Sequence, residues 1–327
     1  MHPFAYTAAR TPQDVTARAS RPPHPDILAG GTDLLQLLKE RVRTPSDLID
    51  INGLDLGGIE EKDGCLRVGA LVRMSELAAD PRVRRDWPVV AKALLESASA
   101  QVRNLATIGG NLLQRTRCPY FRDVATPCNK REPGSGCSAL DGLNRIHAIL
   151  GTSDRCIAAH PSDLAVALVA LDARVSILGP DGEDEIAVEN LHRLPGDTPH
   201  LETVLQPGDL ITAVTIPASE AARRSHYVKV RERASFEWAL VSAAVALDMD
   251  GGIIRDARIA AGGVGTKPWR LRTVESLLIG KTASPDLFRA AADRASDGAQ
   301  PRRDNAYKVE MLKRTVVRAL MELGGCP

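Results

Sequence analysis

Four cysteines stand close together near the middle of the chain, in a stretch without a regular hydrophobic period. Cys118, Cys128, Cys137 and Cys156 fall within 39 residues, separated by nine, eight and 18 residues. Four thiolates gathered in an irregular loop can hold a 4Fe-4S cluster or a zinc ion, or can pair as two disulfides. A loop as long as 115–158 is typically functional or disordered, and the cysteines favour a functional one.

The spacing of these cysteines favours the cluster but leaves zinc and disulfides open. Structural zinc sites usually contain a Cys-x(2–4)-Cys pair, and this segment has none. Disulfides need an oxidising compartment, for which the chain shows no signal. A cluster tolerates wide spacing, and Pro119, Gly134 and Gly136 supply turns beside the candidate ligands. We expect Cys65 and Cys326, which stand apart, to take no part.

Two Gly-Gly turns offer a different chemistry, the binding of phosphate by backbone N–H groups. Gly30 and Gly31 lie between a predicted strand and a predicted helix, and Gly109 and Gly110 form a similar turn. Glycine lets N–H groups approach an oxyanion closely, and the start of a helix adds a favourable dipole. Neither turn has the Walker or Rossmann spacing. One such turn alone is more often structural, but the pair predicts a site for the two phosphates of a dinucleotide.

The elements that must position these residues alternate between strand and helix. Strands are predicted at 26–29, 48–51, 66–71, 174–178, 210–216 and 227–231, and helices at 33–39, 89–98 and 162–171. A hairpin at 239–249 and 253–261 and helices at 274–279, 285–295 and 309–323 follow. Predicted helix N-caps are Ser75, Ser162 and Ser284, and Gly324 is a predicted helix end. Strands followed by helices favour a separate α+β domain from about residue 223.

Composition and charge exclude several classes of protein. The 327 residues predict two domains, and 42 Lys and Arg against 41 Asp and Glu leave no electrostatic footprint for nucleic acid. The longest apolar run, at 164–171, is too short to span a membrane. The N-terminus shows no signal of its own. We expect a cytoplasmic protein, or a periplasmic one exported together with a partner subunit.

Four segments, in this order along the chain, resemble a known family of flavoproteins. They are LAGGTDLL at 28–35, ATIGGNLLQ at 106–114, HPSDLAVALVAL at 160–171 and KVRERASFEWALVSAAVAL at 229–247. Together they are similar to the FAD-binding subunit of the xanthine dehydrogenase and carbon monoxide dehydrogenase flavoprotein family. Within that family, the cysteine segment resembles the FAD and 4Fe-4S subunit of bacterial, often periplasmic, molybdenum aldehyde oxidoreductases. The resemblance covers essentially the whole chain.

The resemblance implies an α+β fold with a two-lobed FAD-binding domain of the vanillyl-alcohol-oxidase (PCMH) type. This domain would span 1–222, with lobes at about 1–55 and 56–222 and an iron-sulfur insert at about 115–158. A C-terminal α+β domain of the carbon monoxide dehydrogenase flavoprotein type would span 223–327. FAD would lie extended between the lobes and be bound non-covalently, since neither glycine loop contains a histidine.

The resemblance also implies the residues that hold the cofactors. Those around the first glycine loop are Leu28, Ala29, Gly30, Gly31, Thr32, Asp33 and Leu34, and those of the second are Ala106, Thr107, Gly110 and Asn111. Asp163 would bond the adenosine side of FAD, Leu210 and Ile211 would pack against the cofactor, and Lys229 would lie near the polar edge of the flavin. The 4Fe-4S ligands would be Cys118, Cys128, Cys137 and Cys156. Many relatives carry aspartate where Glu237 stands, so this chain departs from the family pattern at that position.

The function implied by the resemblance is electron transfer within a heterotrimeric oxidoreductase. A molybdenum cofactor on a large subunit would oxidise an aldehyde to a carboxylic acid, and 2Fe-2S clusters on a small subunit would pass the electrons to FAD here. The flavin would then reduce an external acceptor, so no catalytic residue is expected in this chain. Two alternatives stay open, a self-contained FAD oxidoreductase of the same fold and a non-catalytic zinc- or disulfide-bearing scaffold subunit.

Overall fold

The structure, a computed structural model, describes residues 1–325. Its strands are β1 (Ala5–Ala8), β2 (Asp26–Leu28), β3 (Asp47–Asp50), β4 (Ile59–Lys62), β5 (Cys65–Gly69), β6 (Arg174–Gly179), β7 (Gly182–Ala187), β8 (Leu210–Pro217), β9 (Ser225–Val230), β10 (Val241–Asp250), β11 (Ile253–Gly262) and β12 (Trp269–Arg270). Its helices are α1 (Pro12–Ala19), α2 (Leu34–Lys39), α3 (Met74–Ala79), α4 (Pro81–Asp86), α5 (Pro88–Glu96), α6 (Ala100–Arg103), α7 (Ile108–Leu112), α8 (Pro119–Arg122), α9 (Asp163–Ala170), α10 (Val188–Leu191), α11 (Glu220–Arg223), α12 (Arg272–Leu278), α13 (Pro285–Ala292) and α14 (Tyr307–Gly324).

The strands form three sheets, two of which belong to the part of the chain before residue 218. The first sheet is parallel, in the order β1-β3-β2, and β2 leads into the first glycine loop. The second is antiparallel, in the order β4-β5-β8-β6-β7, so that β8 lies at its centre although it comes last in the sequence. The third, β12-β11-β10-β9, is also antiparallel and belongs to the C-terminal part.

The largest core lies between the five-stranded sheet and helices α3, α4, α5, α7 and α9. Helix α9 is apolar on all sides after its first residue, Asp163, and every one of its residues is buried, as expected for a helix with neighbours on all sides. A smaller core around Val15, Ile49 and Leu210 lies under the three-stranded sheet. The first glycine loop therefore begins at the edge of a packed lobe, where its backbone is held in place.

The C-terminal part packs α12, α13 and α14 against the long β10–β11 hairpin. Lys308 on α14 is fully buried, and its ammonium donates to the carbonyls of Ile146 and Gly263 at 3.1 and 2.7 Å. Burial lowers the pKa of Lys308 to about 7. Since Ile146 belongs to the cysteine-rich segment (115–158), the hydrogen bond from Lys308 attaches α14 to that segment.

The predicted strands and helices are present within a few residues of their expected positions, but two predicted helix ends are wrong. Ser75 lies inside α3 and is not its N-cap, because the helix begins at Met74, whose N–H donates to Ala106 O at 2.9 Å. Gly324 is the last residue of α14, and Gly325 takes the left-handed conformation that ends it. No helix in residues 1–325 has the length and apolarity needed to cross a membrane.

Candidate functional site

The first glycine loop presents a run of unused backbone donors. The N–H groups of residues 30–34, between β2 and α2, donate no hydrogen bond to any residue within 1–325. Gly31 has a φ of +70°, a conformation that favours glycine. Successive free N–H groups in such a loop form a concave site for an anion.

The two glycine loops touch each other. A Cβ at Gly30 would lie 2.0 Å from the carbonyl oxygen of Leu105, so only glycine allows this approach. Arg73 donates to the same carbonyl and to the side-chain oxygen of Asn52, and Asn52 in turn donates to Ala29 O at 2.9 Å. The side chains of Arg73 and Asn52 thus link the backbones of the two loops to each other.

The second glycine loop is built differently from the first. The N–H groups of Ile108 and Gly109 donate to backbone carbonyls just after β5, at 3.0 and 2.9 Å. The N–H of Gly110 donates to Thr107 Oγ1, the N-cap of α7, and Asn111 Oδ1 accepts from a serine hydroxyl. Most donors of this loop are therefore already used inside the protein.

Asp33 joins the first glycine loop to the cysteine-rich segment. Its carboxylate accepts the N–H of Arg115 at 2.7 Å and pairs with the guanidinium groups of Arg117 and Arg122, the latter at 2.9 Å. All three side chains of these ion pairs are less than one-fifth exposed. The guanidinium of Arg117 also stacks 5.0 Å above the ring of Trp238. Asp33 therefore connects the two segments directly.

Asp163 and Lys229 lie together in a buried ion pair. Lys229 Nζ is 2.8 Å from Asp163 Oδ2, and its side chain is 1% exposed. Tyr227 OH and Ser97 Oγ donate to the same carboxylate at 2.7 and 2.9 Å, and burial raises the pKa of Tyr227 well above its usual value. The pair ties the start of α9 to β9. The sequence analysis treated these two residues separately and did not foresee their contact.

The two candidate residues of β8, Leu210 and Ile211, are buried in the fold. Leu210 and Ile211, at the start of β8, are each 4% exposed. Leu210 belongs to the small core on which Ala29 packs, whereas Ile211 belongs to the large core. Because Leu210 and Ala29 share the small core, the start of β8 packs against the residues that lead into the first glycine loop.

The four clustered cysteines line one cavity. Cys128 and Cys137 face each other in a short antiparallel bridge. Asn129 closes the turn between them, because its Oδ1 accepts the N–H groups of Gly134 and Gly136 at 3.1 and 2.9 Å. Cys118 is the N-cap of α8, and Cys156 reaches the cavity from the end of the segment. The irregular segment therefore brings together the four thiols that the sequence singled out.

These thiols are free, and their chemistry is set by burial. All five cysteines of residues 1–325 are unpaired, and Cys326 lies outside the described residues. Burial raises the pKa of Cys118 to about 12 and also raises that of Cys156. Groups with such pKa values are thiols at neutral pH unless a metal displaces the proton. Cys65 lies on β5, apart from the cavity that the other four cysteines line.

Three histidines near this cavity were not predicted from the sequence. His147 and His192 are buried, and His160 is half-buried. His147 Nε2 is 3.1 Å from Cys118 Sγ, and burial and the nearby Lys308 lower the pKa of His147 to about 4. His160 and His192 stack edge to face, 4.3 Å apart, in a pocket that Cys156 also lines. No motif predicts these contacts. His147 is nevertheless the only histidine within 115–158, which was an available signal.

Comparisons with known proteins match the chain from end to end. Residues 2–219 match the family described as the FAD binding domain in molybdopterin dehydrogenase, and 226–323 match the C-terminal domain of carbon monoxide dehydrogenase flavoprotein. The aldehyde oxidoreductase FAD-binding subunit PaoB of Escherichia coli (strain K12) is 48% identical over 324 residues, 98% of each chain. The glyceraldehyde dehydrogenase medium chain of Sulfolobus acidocaldarius is 26% identical over 98% of each chain. A chain of quinoline 2-oxidoreductase from Pseudomonas putida 86 superposes with a TM-score of 0.77 at 25% identity, covering 98% of this chain and 97% of that one.

Proposed function

Because this chain belongs to the family of FAD-binding subunits of molybdopterin dehydrogenases, we propose that it carries FAD and a 4Fe-4S cluster in a molybdenum-dependent aldehyde oxidoreductase. The family matches confirm the predicted resemblance and fold class, and they make the chain part of an oxidoreductase. The aldehyde substrate is proposed from the relative that is 48% identical. The predicted domain boundaries remain predictions.

The free donors of the first glycine loop carry the FAD proposal. Five successive N–H groups, at residues 30–34, would bond the pyrophosphate, and the ion pairs of Asp33 would hold the loop in place. Since most N–H groups of the second loop are already bonded, Thr107 is its best remaining donor. The bound FAD supplies an electron carrier, and the protein orients it and tunes it through nearby charge.

We propose the following roles for the other candidate residues of the FAD site. Asp163 accepts three protein hydrogen bonds, so we assign it to holding Lys229 and Tyr227 in place and not to bonding the adenosine side of FAD directly. Lys229 remains the candidate charge near the flavin. Further proposed contacts of the cofactor are Leu28, Ala29, Ala106, Gly110, Asn111, Leu210 and Ile211.

The geometry of the cysteine cavity supports an iron-sulfur cluster over its alternatives. Four thiols line one cavity, but within 1–325 no three His, Cys, Asp or Glu side chains converge on a position for a single metal ion. A zinc ion would draw four sulfurs to about 2.3 Å from one point, whereas a four-iron core binds each thiolate at a separate corner. The four cysteines are unpaired, which argues against two disulfides. The cluster supplies a one-electron carrier beside the flavin.

In this proposal the chain positions electron carriers and oxidises no substrate of its own. Relatives described as an FAD-binding subunit and as medium chains support partner subunits. We propose that one partner carries the molybdenum cofactor and the other carries 2Fe-2S clusters. The complete assembly would be a heterotrimer that reduces an external acceptor. Nothing in the comparisons favours a self-contained oxidoreductase.

Replacing Cys137 tests the cluster. We expect Cys137→Ser, in the complete complex purified without oxygen, to lose most of the iron and sulfide of this chain while keeping FAD. Cys65→Ser is the matched control and should keep both, because Cys65 lies apart from the cavity. Wild-type iron in Cys137→Ser, or stoichiometric zinc in the wild type, would contradict the cluster proposal.

A further inference from the structure

His147 lies against one of the proposed cluster ligands. Its ring is almost fully buried, at 1% exposure for the residue, and Nε2 is 3.1 Å from Cys118 Sγ. The other ring nitrogen, Nδ1, is buried and has no hydrogen-bond partner within residues 1–325. Within residues 1–325, the hydrogen bond with Cys118 Sγ is therefore the one polar contact of the His147 ring.

The direction of this hydrogen bond follows from the chemistry of the sulfur. A cysteine that binds iron does so as a thiolate, which has no proton and can only accept a hydrogen bond. His147 must then donate from Nε2. Nε2 carries its proton both in the imidazolium and in the neutral tautomer that matches an unpartnered Nδ1, so the bond does not depend on the charge of the ring.

The C-terminal domain fixes the backbone that carries His147. Asn305 Nδ2 donates to the carbonyls of His147 and Ala148 at 3.3 and 3.1 Å, and Lys308 Nζ donates to Ile146 O at 3.1 Å. Asn305 and Lys308 are both fully buried. Three consecutive carbonyls around His147 are thus held by a separate part of the fold, which fixes the position of the His147 ring.

We propose that His147 is a positioning residue for the cluster, donating a hydrogen bond from Nε2 to Cys118 Sγ that raises the reduction potential of the cluster. The inference rests on the proposed 4Fe-4S site. When the cluster gains one electron, negative charge on its sulfur ligands increases, so a donor at the sulfur stabilises the reduced form more than the oxidised form. No covalent bond forms or breaks, and the electron comes from the reduced carriers of the same complex.

The test is a redox titration of the cluster in the complete complex, followed by electron paramagnetic resonance. His147→Phe keeps a ring but removes the donor, and we expect at least a tenfold fall in the ratio of reduced to oxidised cluster at a fixed potential, which is about 59 mV. His147→Gln places an amide N–H near the former Nε2 and should recover most of the potential. His160→Phe is the matched control, because the buried ring of His160 bonds no cysteine within 1–325.

Each result decides the inference. An unchanged potential in His147→Phe with full iron content overturns it while leaving the cluster intact, whereas a wild-type complex without iron overturns the proposed function as well. If His147→Phe cannot retain iron, pulsed resonance on the reduced wild-type complex with isotopically labelled histidine decides. A histidine nitrogen coupled to the cluster supports the hydrogen bond, and the absence of that coupling contradicts it.

Discussion

At the scale of single residues, Gly30 shows how a missing side chain can build a binding site. Its Cα lies so close to the second glycine loop that a Cβ would meet Leu105 O at 2.0 Å, a contact with backbone that cannot move aside cheaply. The glycine therefore brings the two loops together, in addition to freeing the backbone N–H groups of its own loop.

Gly30→Ala should separate the two loops and weaken FAD binding. We expect at least a tenfold rise in the dissociation constant, equal to about 1.4 kcal/mol, measured as FAD retained by the complex after gel filtration. Gly53→Ala is the matched control, because a Cβ at Gly53 meets nothing within 4 Å and its φ is not positive. Wild-type retention of FAD in Gly30→Ala would contradict the assigned role.

Candidate cofactor-binding residues could be recognised from the sequence where residues of one type recur within a short stretch. The four cysteines and the two glycine pairs are such patterns, and the structure brings the members of each together. The contact of His147 with Cys118 could not be predicted, since it joins residues 29 apart across an irregular loop. The contact of Asp163 with Lys229 depends in the same way on how α9 packs against the C-terminal sheet, where it lies on β10 and β11.

At the scale of elements, the first glycine loop and the cysteine-rich segment are connected through Asp33. The pattern around Asp33 predicted a phosphate loop, yet its carboxylate is bound by Arg117 and Arg122, 84 and 89 residues away. Local pattern predicted most strand and helix positions because hydrophobic period and turn residues act over short distances. Ser75 failed as an N-cap because the start of α3 is set by a tertiary hydrogen bond to Ala106.

Asp33→Ala should loosen both connected elements at once. Arg117 would lose its carboxylate partner and Arg122 would be left paired with Glu40, at a site where Asp33, Arg117 and Arg122 are less than one-fifth exposed, at a cost of roughly 1–3 kcal/mol. We expect faster trypsin cleavage within 115–122 and several-fold weaker FAD retention. Asp286→Ala is the matched control, since that side chain is 97% exposed and, within 1–325, pairs with Arg289 alone, on the same helix. Loss of FAD without faster cleavage would argue against the connection.

At the scale of the whole molecule, three sheets and the cysteine-rich segment are held as one assembly. The C-terminal domain anchors the segment through Asn305 and Lys308, and the ion pair of Asp163 with Lys229 joins the two family domains. The order of the five-stranded sheet could not be read from the sequence, because β8 inserts between strands that precede it in the chain. The class of fold could be predicted, because the ordered set of motifs resembles one family.

The central claim is that electrons reach this chain from a partner subunit and are not taken from substrate by this chain. It is tested by adding an aldehyde, without oxygen, to the complete complex from molybdenum-supplied cells and to the same complex from molybdenum-starved cells, while following flavin absorbance. We predict that the flavin is bleached only in the complex that contains molybdenum. Equal bleaching in the complex that lacks molybdenum would contradict the claim.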